Sequence, residues 1–321
     1  MRCDAETVTP ADSAQLMKEL FLLAELDTEA EDLRREMDFS FSFAGVGRFR
    51  VNAYRQRGTL AAVLRSVPFE LPDSGKLHIP DSILSLAENQ NGIILVTGAA
   101  GSGKSTTLTC MIDKINSERP GHIVTIEDPI EFLHKHKKSI ISQREIGIDT
   151  ESYSDALRAA LRQSPNVILL GEMRDNETMS IAMTAAETGQ LVLSTLHTVG
   201  AANTVDRIID GFPTNQQQQI RMQLSMVLKA VISQQLLPDT NGTLYPVFEV
   251  MVVNNAIRTM IRENKTHQIE TVMQTTQGMQ TMDSAVFKLF SEGIISEETA
   301  VEYASSPAMM SKKIELSRGK Q

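Results

Sequence analysis

The chain has 321 residues, 41% of them hydrophobic, enough for one large core or two smaller ones. Its formal net charge of -9 gives no overall attraction to nucleic acid or an anionic membrane, so either partner would need a local basic patch. No apolar run reaches the roughly 18 residues of a membrane span, the opening "MRCDAETVTPADSAQ" lacks a signal peptide's apolar core, and Cys3 and Cys110 lack metal-ligand spacing, which predicts a cytoplasmic globular protein without zinc or redox chemistry.

Residues 10–37 predict two short helices, one on the leucine spacing of "PADSAQLMKELFLLAEL" and one starting at a capping Asp27. Strands follow. "DFSFSF" alternates phenylalanine with serine, and "RFRVNAYRQ" alternates Arg48, Arg50 and Asn52 against Phe49, Val51 and Ala53, which puts the arginines on one sheet face. A third strand, "LAAVLRSVP", ends at Pro68, and "PFELPDSGKLHIP" reads as a linker, so the expected division is a small domain over 1–70, a linker over 71–88 and a second domain over 89–321.

In the second domain the apolar runs "GIILVTG", "HIVTIED", "NVILLGE" and "QLVLSTLHT" alternate with helical stretches. That pattern predicts a parallel sheet covered on both faces, with ligands at the carboxyl ends of its strands. The segment "FPTNQQQQIRMQLSMVLKAVISQQLLP" reads as one long helix, followed by a strand "LYPVFEVMVV" and a mostly helical remainder. Cys110 falls in a predicted helix as a small buried hydrophobe.

The stretch "GAAGSGKST" fits the phosphate-binding pattern GxxxxGK[ST] and stands where the pattern needs it, after a strand and at the start of a helix. Its glycines let backbone N–H groups turn inward around an anion, Lys104 brings a point charge to the outer phosphates, and Ser105 offers a hydroxyl to magnesium. Gly98, Ala99, Ala100, Gly101, Ser102, Gly103, Lys104, Ser105 and Thr106 are therefore the candidate nucleotide-binding residues. Carboxylates follow at strand ends: Glu127, Asp128 and Glu131 in "TIEDPIEF", where Pro129 forces a turn, and Glu172 in "VILLGEMRD". Beside a triphosphate they can hold magnesium or orient the attacking water. His197 ends a further strand and is placed for a hydrogen bond to a terminal phosphate. Arg48, Arg50, Arg65, Arg158 and Arg162 are candidates for stabilising developing charge, some of them in the other domain, which raises a site completed across a domain or subunit boundary.

The ordered set "GAAGSGKSTT", "TIEDPIEF", "ALRAALRQSPNVILLGEMRD", "AAETGQLVLSTLHT" and "DRIIDGFP" resembles the secretion ATPase superfamily of type II secretion and type IV pili. "GRFRVNAY", "AIRTMIRE" and "GMQTMD" are similar to its pilus-retraction branch, and the resemblance runs from about residue 38 to 300. It implies an α/β architecture: a RecA-like P-loop NTPase domain with a small, shortened PAS-like α+β N-terminal domain. It also implies a homo-hexamer that uses ATP and Mg2+, sits at the inner face of the cytoplasmic membrane, and acts on the inner-membrane platform protein and pilus base, without nucleic acid and with membrane contact only through partners.

Carried over by position, Lys104 and Ser105 belong to the Walker A site, Glu131 is the catalytic base, and Glu172 is the Walker B carboxylate near magnesium. His197 is the second histidine of a histidine box, Arg50 and Arg65 are N-terminal-domain arginines that reach the phosphates, and Arg158 and Arg162 are the pair before the Walker B strand. "AIRTMIRE" matches a helix motif associated with retraction, with Thr259 and Met260 in place of the usual Asn and Leu. Gln190 stands where the box has its first histidine, Ala99 replaces a usual proline, and the opening strands of the family's N-terminal domain are missing. Assembly ATPases of the superfamily usually carry a four-cysteine zinc module, which two distant cysteines cannot make. The competing readings are an accessory or assembly ATPase of a related system, a nucleic-acid translocase relying on the basic run "HKHKK" at 134–138, and a nucleotide-binding module without turnover.

Overall fold

The computed structural model describes residues 7–26, 36–43, 46–67 and 70–318. The chain divides into two compact units, Met1–Leu71 with Ile130–His134, and Pro72–Pro129 with Lys135–Gln321.

In the first unit a helix spans Pro10–Leu23. It starts where it does because Thr9 and Asp12 form a reciprocal cap: Thr9 Oγ1 accepts from the Asp12 amide, and the Asp12 carboxylate accepts from the Thr9 amide. Strands β1 (Met37–Phe43), β2 (Gly47–Gln56) and β3 (Thr59–Val67) form an antiparallel sheet in the order β1-β2-β3. Arg57 and Gly58 both have positive φ, the twist a two-residue hairpin needs between β2 and β3. The alternation of β2 sorts its faces: Val51 and Ala53 are buried with Phe39, Phe41, Met17 and Phe21. Arg48 on the other face donates to Ser40 Oγ at 2.7 Å. Arg50 pairs in register with Arg65, so these two arginines are cross-strand neighbours. Of the second helix expected over 27–37, residues 27–35 lie outside the described residues, as does Cys3, and Met37 at its end already belongs to β1.

The second unit is built on seven strands: β4 (Gly92–Thr97), β5 (Gly121–Glu127), β6 (Ser139–Glu145), β7 (Val167–Leu170), β8 (Leu191–Leu196), β9 (Leu228–Pro238) and β10 (Leu244–Val252). Their order is β10-β9-β4-β8-β7-β5-β6, parallel except for β10, which runs antiparallel to β9 at one edge. Helices cover both faces. Ile94 and Val96 of β4 pack on Met111 and Ile112 of the helix Lys104–Glu118, while Ile93 and Leu95 face the opposite core with Met183 and Leu224. A further cluster joins Leu237 and Val247 to the C-terminal helices through Val286 and Ile314.

Three elements differ from the sequence expectation. The long helix ends at Val227, and the chain passes directly into β9, whose Leu228, Ala230, Val231 and Ile232 are fully buried between β4 and β10. The edge strand β6 was not anticipated. The second half of the expected linker is folded: Asp81–Leu84 and Ser85–Glu88 are helical turns that bury Ile83, Leu84 and Ala87 in the core beside β4.

Candidate nucleotide site

Four adjacent strands, β4, β8, β7 and β5, deliver the phosphate loop, His197, Glu172, Glu127 and Asp128 to one edge of the sheet. The loop after β4 holds Gly98, Gly101 and Gly103 at φ of 141°, 79° and 87°, backbone that side-chain-bearing residues avoid. At Gly98 a Cβ would also overlap the backbone carbonyl of Gln234 and lie 2.7 Å from Ser102 Oγ, so the close approach of loop to β9 requires glycine there. The helix Lys104–Glu118 begins on Gly103 with no side-chain cap, which leaves its first amides to an anionic ligand.

Lys104 is 8% exposed and its ammonium donates to the carbonyls of Gly98 at 2.9 Å and Ala99 at 2.8 Å. The charge is thus tied into the curl of the loop. Ser105, Ala99, Ala100 and Gly101 are exposed, Thr106 is half-buried and Ser102 is buried. Behind the loop, Thr107 Oγ1 donates to Gln234 Oε1 at 2.7 Å, and a Cβ on Gly103 would meet Gln234 Nε2 at 2.8 Å. Gln234, from the strand read as helix, is therefore a residue that packs the loop from beneath.

Just past β7, Glu172 forms an ion pair with Arg174 and places Oε2 3.3 Å from His197 Nε2, which follows β8. Arg174 extends to Asp128 at 3.9 Å, linking the ends of β7 and β5. Its hydrogen bond to Glu172 holds the guanidinium above its ordinary pKa. At the end of β5, Glu127 Oε1 accepts from Thr125 Oγ1 at 2.6 Å and Gln143 Nε2 at 3.2 Å. Tyr153 closes this acidic corner from below. Burial first, then the charges of Asp128 and Glu172, push its phenol far above the usual range, so it remains neutral. Gly171 carries no side chain because a Cβ would stand 2.7 Å from Tyr153 Oη.

The remaining candidates belong to the first unit or to other parts of the second. Glu131, Arg48, Arg50 and Arg65 belong to the first unit. Arg158 pairs with Glu177 on the surface, and Arg162 is exposed in the turn Leu161–Gln163. Gln190 precedes Leu191 at the opposite end of β8 from His197, where its Oε1 accepts from Thr188 Oγ1 at 2.8 Å. It does not share a site with His197. Arg174, Tyr153 and Gln234 went unnoticed in the sequence; Arg174 stands inside "GEMRD", whereas the other two carry no local signal.

A hydroxyl at Ser105 and a carboxylate at Glu172 are hard oxygen donors of the kind magnesium takes together with phosphate oxygens and water. Among the described residues no group of three or more His, Cys, Asp and Glu could hold an ion by itself. Among the described residues, no helix is long and apolar enough to cross a membrane.

Residues 66–244 match the family model for type II/IV secretion system proteins. The chain is 51% identical over 280 residues to a twitching motility protein of Neisseria gonorrhoeae, covering 86% of this chain and 75% of that protein. It is 46% identical over 274 residues to the type IV pilus retraction ATPase PilT of Pseudomonas aeruginosa, covering 85% and 80%. The crystal structure of the pilus retraction motor PilT with bound ADP superposes with a TM-score of 0.83 at 52% identity, over 87% of this chain and 80% of that one.

Proposed function

The chain belongs to the type II/IV secretion system family, and on that premise we propose that it is a hexameric motor whose hydrolysis of MgATP powers retraction of a type IV pilus. It is an ATPase of the pilus-retraction kind: its similarity to retraction ATPases extends over most of both chains and includes a neighbour with ADP bound. The single observation within the chain that carries the chemistry is the convergence of Lys104, Glu172 and His197 on consecutive strand ends.

The chemistry follows from what each group offers. Lys104 and the amides of Gly98 to Thr106 hold the phosphates, so that the terminal phosphorus faces the sheet edge. Magnesium, held by Ser105 and the phosphate oxygens with Glu172 nearby, supplies charge neutralisation when bound. Glu131 takes a proton from water, which attacks the terminal phosphorus as its bond to the ADP oxygen breaks, giving ADP and phosphate. His197, oriented by Glu172, donates toward the terminal phosphate and reports its presence to the loop that follows β8. Arg50, Arg65, Arg158 and Arg162 contribute positive charge to the transition state, some of it from a neighbouring subunit. The cycle rotates N-terminal domains against the ring and drives the platform protein at the cytoplasmic membrane.

The test is MgATP turnover of the purified chain over a range of protein concentrations. Turnover per subunit that rises with concentration supports sites completed by neighbours in a ring. Constant turnover per subunit across the whole range, from a chain that remains monomeric, sinks the hexamer.

A further inference from the structure

The helix Thr214–Val227 packs against the helix Asn255–Arg262 over the second unit's core. Between them opens a cleft of about 390 Å³ lined by Ser225, Met226, Asn255, Arg258, Thr259 and Arg262. No carboxylate lines it. Arg258 and Arg262 are one helical turn apart on the same face, and Arg221 lies one turn before Ser225 on the opposing helix.

Two of these guanidiniums are under-partnered, and Arg262 is exposed. Arg221 is 7% exposed and its Nη1 has no hydrogen-bond partner, and Arg258 Nε is buried and likewise without one. Arg258 reaches only the neutral Asn255 Oδ1, at 3.5 Å, and Arg262 the hydroxyl of Thr259 at 3.1 Å. The adjacent exposed carboxylate of Glu263 pairs with Lys265 at 2.7 Å, and the charge of Arg262 adds to the lowering of its pKa that Lys265 begins. An arginine cannot neutralise itself by losing a proton, so the buried, unpartnered nitrogens of Arg221 and Arg258, with the exposed Arg262 beside them, favour a ligand that brings anionic oxygens. This accumulation of positive charge stands on a chain of net charge -9, so it is a local contrast and not a general surface property.

Met226 in the cleft wall and Met222 one turn before it are 59% and 52% exposed. A free anion would use the guanidiniums and ignore the thioethers, whereas flexible methionine side chains form adaptable apolar contact surfaces. We infer that this cleft is a docking site for an acidic, amphipathic segment of a partner protein, its carboxylates on Arg258 and Arg262 and its apolar side chains on Met222 and Met226. A helix laid in the groove between the two helices would present both features along one face. The inference uses no residue of the nucleotide site, although its arginines belong to the stretch "AIRTMIRE" that resembles the retraction-associated helix motif.

The experiment measures fluorescence anisotropy of a labelled synthetic amphipathic helix, glutamates on one face and leucines on the other, titrated with the full chain. Saturable binding that weakens about tenfold or more in Arg258→Gln/Arg262→Gln, and again in the exposed-position variant Met226→Glu, supports the proposal. ATP turnover, measured on the same variants, stays at the unsubstituted level and shows that they are folded. Binding equal in all variants, or no binding to the unsubstituted chain, overturns it. Complete displacement by millimolar inorganic phosphate with no effect of Met226→Glu makes this a small-anion site and overturns it too. A change of oligomeric state in the arginine variant identifies the cleft as a contact between copies of the chain, which also overturns it.

Discussion

His197 Nε2 stands 3.3 Å from Glu172 Oε2, so the ends of β8 and β7 meet through two side chains at the edge where the phosphate loop emerges. Glu172 is engaged from its other side by Arg174, and the carboxylate is therefore oriented by two cationic or potentially cationic groups. Replacing His197 with Ala removes one of them and leaves the other. The expected result is a fall in kcat of about tenfold to a hundredfold with ADP affinity nearly unchanged, whereas Glu172→Gln, which removes the charge itself, costs about a hundredfold or more. Steady-state turnover with calorimetric ADP binding reads both. A His197→Ala protein that loses ADP affinity in step with kcat would show that the histidine serves ground-state binding.

Lys104 and Glu131 separate binding from chemistry. Lys104→Ala removes a buried ammonium that also ties together the carbonyls of Gly98 and Ala99, so it should weaken nucleotide binding and loosen the loop. Glu131→Gln keeps shape and hydrogen bonding but no longer accepts a proton. It should bind ATP normally and lose about a hundredfold or more in turnover. Undiminished turnover of Glu131→Gln would remove it from the role of base and turn attention to Glu127.

The bond from Thr107 Oγ1 to Gln234 Oε1 is buried and joins positions 127 residues apart, so it pins the loop helix to β9. Gln234→Leu should cost about 1–3 kcal/mol in urea unfolding because it strands the threonine hydroxyl in the core. Thr107→Val in the same background should restore part of that loss, since both partners are then apolar. Strict additivity of the two substitutions would show that the bond contributes nothing to stability.

The nucleotide loop was legible because its chemistry is local: strand, glycines, lysine and helix occupy one continuous stretch. Glu127, Asp128 and Glu172 were legible for a related reason, since parallel strands place their carboxyl ends on one edge. The strand β9 was not. Helix Thr214–Val227 passes into Leu228 without Gly, Pro or any turn residue between them. Burial on both faces also erases the alternation that distinguishes a strand from a helix. Gln234 was lost with it. The folded turns Asp81–Leu84 and Ser85–Glu88 were hidden by the prolines and glycine before them. In each case tertiary placement, absent from any local window, decided the outcome.

Glu249 on β10 offers a prediction about pH. One carboxylate oxygen accepts from the Ala201 amide at 2.5 Å and the other from the Met282 amide at 3.1 Å, so a single side chain joins the starts of the helices Ala201–Asp210 and Met282–Ser291. Burial pushes its pKa above the ordinary value, these two amides pull it down, and the charges of Glu270 and Asp283 add to the rise. A carboxyl whose folded pKa exceeds its unfolded one binds its proton more tightly in the folded chain. Its contribution is fully present below the unfolded value and is lost as pH rises through the folded one. Glu249→Gln cannot titrate and removes that dependence while the other acids cancel in the comparison. The stability of the unsubstituted chain relative to Glu249→Gln should therefore increase as pH falls from neutrality toward the ordinary glutamate range of about 4.3. Urea unfolding of both proteins across that window provides the measurement. Parallel profiles would mean that Glu249 titrates alike in the folded and unfolded chain, and that the two amides offset the whole effect of burial.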